Sequence, residues 1–295
     1  MAASRTAEYV ALYRALETTE RRREPLFRDR LAARFLSGSR ARWLALSHVP
    51  GMRSMIERYG DARAPGARTS TIARTRYIDD FVKKEVTRGI RQLVLLGAGF
   101  DSRAHRIDEL ESTGSEVFEV DHPDTQKVKR KRLSGAAGLK RNVRYVPIDF
   151  LTQYLATELA DKGWEADHRS IFVWEGVTNY LDEAAVSSIF DTVGRTKDGS
   201  VILFTYIHRG ILDGSTKFEG AQELLVNVKR LGEPWKFGLL PEEVAGFIAP
   251  YGLKLEHDVG ADDYRQQFLG TVDKGYGFYR LAIARVVNRP TPAAK

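Results

Sequence analysis

The sequence predicts an α/β protein with an open, mostly parallel, Rossmann-like sheet and an N-terminal helical layer. Two patterns lead to this prediction. From residue 91 onward, short runs rich in β-branched and aromatic residues alternate with helical stretches, which is typical of β-α-β units. Residues 93–96 are continuously apolar, as expected of a central strand buried on both faces. The predicted strands cover residues 92–96, 116–120, 143–148, 170–174, 201–206, 253–259 and 276–287.

Up to about residue 90 the apolar residues instead recur at helical spacing, and prolines and glycines interrupt the pattern. We therefore expect residues 1–88 to form a helical cap and residues 89–288 to form the sheet domain. Only a short segment separates the last two strands, so we expect the last strand to run antiparallel. Residues 289–295 contain two prolines and are expected to form a flexible tail.

The composition is that of an ordinary globular protein, with 43% hydrophobic and 29% charged residues. The absence of cysteine excludes disulfides, thiolate metal sites and a cysteine nucleophile. No run of about 18 apolar residues is present, and the N-terminus lacks the apolar centre of a signal peptide. We therefore expect a cytoplasmic protein with no membrane partner. The six histidines lack the close spacing typical of zinc sites, so we expect no metal.

Positive charge is concentrated in the first third of the chain. Residues 1–90 contain 19 lysines and arginines against 10 acidic residues, whereas the whole chain has a net charge of +7. A second basic run lies at residues 127–132. Solvated helix faces explain such runs in most proteins, so no nucleic-acid partner is expected, although binding to RNA or to an acidic partner stays an alternative.

The segment LVLLGAGFDSRAHRI, residues 93–107, predicts a strand that turns sharply into a helix starting near residues 101–102. Gly97, Ala98 and Gly99 would let a ligand approach the backbone closely. Ser102 stands where a dinucleotide-binding pattern has its third glycine, and Asp101 would repel a pyrophosphate. A ligand without phosphates, such as S-adenosylmethionine, is therefore favoured over NAD.

Acidic residues follow the next two predicted strands. Asp121 ends the second strand, where a carboxylate can accept hydrogen bonds from a ribose diol. Asp149 and Phe150 follow the third strand, and a carboxylate beside an aromatic ring suits an adenine. Asp149 could equally cap the following helix.

The fourth predicted strand ends in FVWEGVTNYL, which places Glu175 and Tyr180 at its carboxyl end, where open α/β sheets bind ligands. With this segment the chain resembles the leucine carboxyl methyltransferase family of class I S-adenosylmethionine-dependent methyltransferases. The matching segments occur in family order: IAR (72–74), LGAGFDSR (96–103), EVDHP (119–123), IDF (148–150), EGVTNYL (175–181) and GEPWKFG (232–238).

The resemblance implies a role for each of these residues. Arg74 would pair with the carboxylate of the methyl donor, with Arg76 as a near alternative. Gly97 would lie under the methionine part of the donor, Glu175 near its amino group, and Tyr180 near the acceptor carboxylate. The resemblance also implies the ribose and adenine contacts described above. Many bacterial members of the family act on small molecules, including aromatic polyketide acids.

Together these features predict an S-adenosylmethionine-dependent O-methyltransferase that forms a methyl ester on a small hydrophobic or aromatic acid. A carboxylate is already ionised at neutral pH and needs no general base. A phenol would need one, and His208 after the fifth strand is the candidate for this alternative. Trp235, Phe237 and Tyr276 are core aromatics or line the acceptor pocket. An NAD-dependent dehydrogenase is the less favoured enzyme class.

Overall fold

The computed structural model describes residues 5–150, 152–230, 232–270 and 274–287. The predicted tail, residues 289–295, lies outside this range. The strands in the described part are Gln92–Leu96 (β1), Glu116–Asp121 (β2), Val143–Pro147 (β3), Ser170–Trp174 (β4), Val201–Ile207 (β5), Leu253–Gly260 (β6) and Tyr279–Val286 (β7).

These strands form one sheet in the order β3-β2-β1-β4-β5-β7-β6. β1 to β5 run parallel to one another. β7 runs antiparallel to both β5 and β6, which confirms the predicted orientation of the last strand. It begins at Tyr279 rather than at Tyr276, because Tyr276 has a φ of +65° and turns the chain before the strand.

The helices complete the alternation that the sequence predicts. They are Arg5–Thr18 (α1), Gly38–Leu46 (α2), Met52–Arg63 (α3), Ala67–Thr87 (α4), Arg103–Arg106 (α5), Asp108–Ser112 (α6), Pro123–Leu133 (α7), Leu155–Ala160 (α8), Glu183–Gly194 (α9), Gly210–Asp213 (α10), Ala221–Arg230 (α11), Val244–Ile248 (α12) and Ala261–Leu269 (α13). Within the described residues, no helix has both the length and the hydropathy needed to cross a membrane.

Helices cover the sheet on both faces, so that the central strands are fully buried, as their apolar sequences predict. One face packs against α8 and α9 through a cluster that includes Phe118, Trp174 and Phe190. The other face packs against α4, whose Ile78 and Val82 contact the cluster around β1. α4 thus buries its apolar side directly on the sheet, although the sequence assigned it to the cap.

The remaining N-terminal helices form a layer over the end of the sheet. α1 and the turn at residues 32–35 share an apolar cluster with Phe100 and with Leu133 of α7. The ring of Phe35 stacks on that of Phe100 at 5.1 Å between centroids. Because Phe100 follows the glycine turn after β1, this packing fixes α1 above the turn.

Candidate active site

The residues that the sequence analysis singled out lie at the carboxyl ends of β1 to β4. β1 stands between β2 and β4, so the chain reverses its direction of winding at β1. Such a switch point leaves a crevice at the carboxyl ends of the strands, and open α/β folds bind ligands in it. The turn after β1 and Asp121 lie on one side of this crevice, and Glu175 lies on the other.

The turn after β1 depends on its two glycines. Gly97 and Gly99 have φ angles of +64° and +43°, a region that residues with side chains rarely adopt. A Cβ atom on Gly97 would also lie 2.3 Å from Val177 Cγ2. The Ala98 N–H donates to the carbonyl oxygen of Val120 at 2.9 Å, which ties the turn to β2.

The helix after this turn is short. α5 begins at Arg103 and lasts four residues before the chain bends at Ile107. Asp101 does not face the crevice as a free carboxylate, because it accepts the Arg103 N–H at 2.7 Å and pairs with the Arg103 guanidinium. Asp101 therefore holds the start of α5, a role that the sequence analysis did not foresee.

Asp121 sits at the tip of β2 and is held by the backbone. Its carboxylate accepts the N–H of Gly99 and, at 2.6 Å, the N–H of His122. Burial raises the pKa of Asp121, and the two backbone N–H groups oppose that shift. Each carboxylate oxygen has a further lone pair, so the carboxylate can still accept hydrogen bonds from a ribose diol.

Asp149 and Phe150 lie in the turn that follows β3. The Asp149 N–H donates to Gln153 Oε1 at 2.8 Å, and its carbonyl oxygen accepts the N–H groups of residues 152 and 153. Phe150 is half-buried against the sheet core. α8 begins only at Leu155, after Tyr154, so Asp149 is not the cap of that helix.

Arg74 and Glu175 form an ion pair across the crevice. Arg74 Nε donates to Glu175 Oε1 at 2.7 Å, and the guanidinium lies 4.7 Å from the centroid of the Tyr279 ring. The Arg74 side chain is 4% exposed, and its Nη1 has no hydrogen-bond partner within the described residues. Although burial acts to raise it, the cations of Arg103 and Arg74 lower the pKa of Glu175 to about 2.

Arg76, the alternative to Arg74, faces another direction. Its Nε donates to Asp80 at 2.8 Å and its Nη1 to the carbonyl oxygen of Leu26. Residues two positions apart lie on opposite sides of a helix, so only one of Arg74 and Arg76 can face the crevice. That residue is Arg74.

Arg103 is a site residue that the sequence analysis missed. Its guanidinium is buried, donates to Glu175 Oε2 at 2.8 Å and donates to Asp79 Oδ1 at 3.0 Å. Asp79 also pairs with Arg106. Arg103 belongs to the LGAGFDSR segment, but no spacing in an arginine-rich chain distinguishes a buried arginine from a solvated one.

Aromatic side chains lie beside Arg74 at the carboxyl end of β5 and the amino end of β7. The Tyr276 ring lies 5.4 Å from that of Tyr279 and 5.0 Å from that of Phe278, and Trp235 lies 6.0 Å from Phe278. Trp235 Nε1 is buried near the Tyr180 hydroxyl but meets no acceptor with hydrogen-bond geometry in the described structure. Burial raises the pKa of Tyr180.

Phe237 and His208 do not belong to this group of rings. Phe237 packs against Phe247 in the core and does not line the site. His208 lies 5.1 Å from the Phe218 ring, and burial lowers its pKa. Its Nδ1 accepts the N–H of Gly210 at 3.1 Å, so the proton of the neutral ring is on Nε2.

The N-terminal layer closes over the crevice from above. Arg14 on α1 donates to the carbonyl oxygen of Phe100, and Ala7 lies beside Gly99. Thr6 Oγ1 donates to Glu233 Oε2 at 2.6 Å, which joins the start of α1 to the loop that carries Trp235. α1 thus contacts both the glycine turn and the aromatic side of the site.

Comparisons with known proteins agree with this geometry. The family model for leucine carboxyl methyltransferase matches residues 7–194. A predicted S-adenosyl-L-methionine-dependent methyltransferase of Frankia alni is 35% identical over 212 residues, which cover 70% of each chain. A predicted enzyme of the same class from Bacillus subtilis is 29% identical over 67% of this chain and 65% of its own.

Solved structures share the fold at low sequence identity. A predicted methyltransferase from Thermobifida fusca superposes with a TM-score of 0.60 at 16% identity, over 95% of this chain and 94% of its own. A DUF574 family protein from Streptomyces avermitilis has a TM-score of 0.59 at 17% identity, over 81% and 91%.

Proposed function

Since the chain belongs to the leucine carboxyl methyltransferase family, we propose that it is an O-methyltransferase that forms a methyl ester on the carboxylate of a small aromatic acid. Its relatives are named as S-adenosyl-L-methionine-dependent methyltransferases, and S-adenosylmethionine is its methyl donor. The family and the fold favour a methyltransferase over the NAD-dependent dehydrogenase that the sequence left as an alternative. The chemical class of the methyl acceptor is the part of the proposal that goes beyond the family.

The residues present fit this donor. A buried Arg74 Nη1 without a partner is a donor group that a carboxylate can satisfy, and Glu175 beside it can accept an ammonium group. Asp121 would accept the ribose hydroxyls, and Asp149 with Phe150 would border the adenine. When bound, S-adenosylmethionine supplies a methyl group on a sulfonium, which is transferred by in-line displacement. The protein therefore has to align the acceptor oxygen and exclude water.

The observation that carries the acceptor assignment is the buried N–H of Trp235, which has no acceptor with hydrogen-bond geometry among the described residues. An indole nitrogen only donates, and leaving a buried donor unpaired costs about 1–3 kcal/mol. A carboxylate oxygen would satisfy it, with the nearby Tyr180 hydroxyl as a second donor. Because a carboxylate is ionised at neutral pH, the site needs no base to activate it.

The rings around this N–H favour an aromatic acid. The Tyr276 ring lies 5.0 Å from that of Phe278 and 5.4 Å from that of Tyr279, and Trp235 borders Phe278. Such rings offer flat apolar surfaces with centroid spacings typical of stacked or edge-on contacts. A planar ring with a carboxylate at its edge would place the carboxylate at Trp235 and Tyr180.

A phenolic hydroxyl is the second candidate acceptor. It is favoured by His208, whose lowered pKa keeps the imidazole neutral at neutral pH. The tautomer with its proton on Nε2 weighs against this candidate, because that nitrogen then has no lone pair to accept a phenol proton.

The chemistry of the product separates the two candidates. The protein is supplied with S-adenosylmethionine and an aromatic acid that also carries a phenolic hydroxyl, and the methylated product is treated with mild alkali. We expect methanol to be released, as from an ester. An alkali-stable methyl ether would contradict the acid assignment and support the phenol.

The matched variant for this test is Trp235→Phe, which keeps an aromatic ring and removes the N–H. We expect kcat/KM for the acid to fall about 10-fold, the scale of a hydrogen bond to a charged group. Phe237→Tyr, in the adjacent core position, is the control for general disturbance of this loop. Unchanged activity of Trp235→Phe would remove the indole from acceptor binding.

A further inference from the structure

Glu175 is held by two arginines, one on each carboxylate oxygen. Arg74 Nε donates to Oε1 at 2.7 Å, and Arg103 Nη1 donates to Oε2 at 2.8 Å. Arg74 comes from α4 and Arg103 from α5, so the two cations approach the carboxylate from different elements. A carboxylate in this position can lose one of its partners and keep the other.

The two arginines differ in how firmly they are fixed. Within the part of the chain that the structure describes, Arg74 has one carboxylate partner and an unpaired Nη1. Arg103 is tied to Asp79 at 3.0 Å and to Asp101 besides Glu175, and its side chain is 2% exposed. Moving Arg103 would break three charged contacts in a buried site, whereas moving Arg74 would break one. Arg103 is therefore the rigid partner of Glu175, and Arg74 is the exchangeable one.

The methionine end of the donor carries one carboxylate and one ammonium group. In the proposed function, on which this inference rests, these charges meet Arg74 and Glu175, which here neutralise each other. Binding would then exchange one ion pair within the protein for two with the ligand. The exchange succeeds only if Glu175 stays ionised and in place after Arg74 has turned to the new carboxylate.

We propose that Arg103 is a positioning residue for methyl-donor recognition: it keeps the Glu175 carboxylate ionised and oriented for the donor ammonium group while Arg74 changes partner. Arg103 itself would touch no part of the donor. Its effect would be confined to the amino acid end of the ligand and would leave the adenosine end unaffected.

The electrostatics of the site agree with this role. Arg103 is the strongest of the groups that lower the pKa of Glu175, ahead of Arg74. Asp101 acts in the opposite direction, and Tyr279 on β7 also faces Glu175. Without Arg103, the pKa of Glu175 would rise because burial and Asp101 would act against Arg74 alone.

Two adenosine ligands separate the amino acid end from the rest of the site. S-adenosylhomocysteine carries the carboxylate and the ammonium group, whereas 5′-methylthioadenosine lacks both. Calorimetry measures the Kd of each for the unmodified protein, for Arg103→Lys and for Arg106→Lys. Arg106 is the matched control, because it shares Asp79 with Arg103 but makes no contact with Glu175.

We expect Arg103→Lys to weaken S-adenosylhomocysteine about 10-fold, the scale of one charge-assisted hydrogen bond, and to change 5′-methylthioadenosine less than about 2-fold. Arg106→Lys should change neither by more than about 2-fold. Equal weakening of both ligands by Arg103→Lys would show a merely structural role and overturn the proposal. Unchanged binding of both ligands would overturn it as well.

The pH profile gives a second readout, with Arg103→Gln as the variant. Between about pH 8 and pH 5 the ratio of the Kd values of S-adenosylhomocysteine and 5′-methylthioadenosine should stay constant for the unmodified protein, because Glu175 stays ionised and both ligands carry the ribose that meets Asp121. In Arg103→Gln this ratio should rise progressively as the pH falls, since Glu175 then protonates at a higher pH. A flat profile for Arg103→Gln would contradict the proposal even if Arg103→Lys did not fold.

Failure of the proposed function would look different. If the unmodified protein bound neither ligand, the donor site itself would be wrong. If it bound both, and the ratio of the two Kd values did not change in Arg103→Lys, only the role of Arg103 would be wrong.

Discussion

The two halves of the site are built in different ways. The donor half, at the carboxyl ends of β1 to β4, consists of charged groups held by backbone N–H groups and ion pairs. The acceptor half, at the ends of β5 and β7, consists of rings and of the unpartnered Trp235 N–H. The methyl donor carries charged groups, and fixed charges in the protein can bind them. An apolar acceptor is instead bound by a pocket whose shape matches it. The difference implies that mutations in the donor half should act through binding and stability, and those in the acceptor half through turnover of particular acceptors.

The largest effect should come from removing the charge at the centre of the donor half. Glu175→Gln leaves Arg74 and Arg103 facing an uncharged group in a buried site, so we expect a loss of about 3 kcal/mol in the free energy of unfolding at pH 7. The pKa of Glu175 is lowered, so its contribution is fully present above its ordinary pKa and disappears as the pH falls toward about 2.

Denaturant unfolding at about pH 7 and about pH 3 checks this prediction. The difference between the unmodified protein and Glu175→Gln should be smaller at the lower pH. Glu183→Gln, at the exposed start of α9, is the control and should change stability little at either pH. A difference that is independent of pH would mean that the Glu175 charge does not stabilise the fold.

The next effect concerns Arg74 and Arg76 on α4. Arg74→Lys should lower kcat/KM about 100-fold, because an ammonium group cannot reproduce the guanidinium fork between Glu175 and the donor carboxylate. Arg76→Lys, which alters a side chain that pairs with Asp80, should stay within about 2-fold of the unmodified protein. Steady-state kinetics with varied donor concentration measure both. An equal fall in kcat/KM in both variants would contradict the assignment of Arg74, rather than Arg76, to the donor site.

A smaller effect is expected at the ribose. Asp121→Ala should weaken S-adenosylhomocysteine by about 1–3 kcal/mol, the scale for leaving buried hydroxyls without a partner. Asp124→Asn, on the exposed face of α7, serves as the matched control. Calorimetry compares the two variants, and unchanged affinity in Asp121→Ala would take Asp121 out of the site.

The smallest effect belongs to the acceptor half. Tyr180→Phe keeps the ring and removes one hydroxyl, so kcat/KM for an aromatic acid should fall no more than about 10-fold if the hydroxyl only orients the acceptor. Donor affinity should not change. A fall of several hundred-fold would mean that Tyr180 takes part in a proton transfer, and an unchanged rate would place the acceptor elsewhere.

The same contrast explains what the sequence could predict. The residues of the donor half come directly after strands in the sequence. The sequence shows where these strands end, because each apolar run is followed by Gly97, Asp121, Asp149 or Glu175. All seven strands were predicted, most to within one residue. β1, β4 and β5 are fully buried runs with clear ends, whereas β3 and β6, at the edges of the sheet, are only partly buried. α9 starts at a side chain typical of helix starts, because Asp182 is its N-cap and accepts the Ala185 N–H.

The predictions fail where contacts between distant parts of the chain determine the structure. α4 packs on the sheet, although its sequence continues the pattern of the cap. Arg103 was missed because burial beside Asp79 and Glu175 depends on residues that are distant in the chain. The acceptor half assembles from loops around residues 180, 235 and 276, and no local pattern connects them.

The most direct test of the account is a crystal structure of the protein with S-adenosylhomocysteine. The account predicts that the ribose hydroxyls lie within hydrogen-bond distance of Asp121, that the ligand ammonium group contacts Glu175, and that Arg74 has turned to the ligand carboxylate while Arg103 stays on Glu175. A ligand bound outside the carboxyl ends of β1, β2 and β4, or one whose amino acid end avoids Arg74 and Glu175, would contradict it.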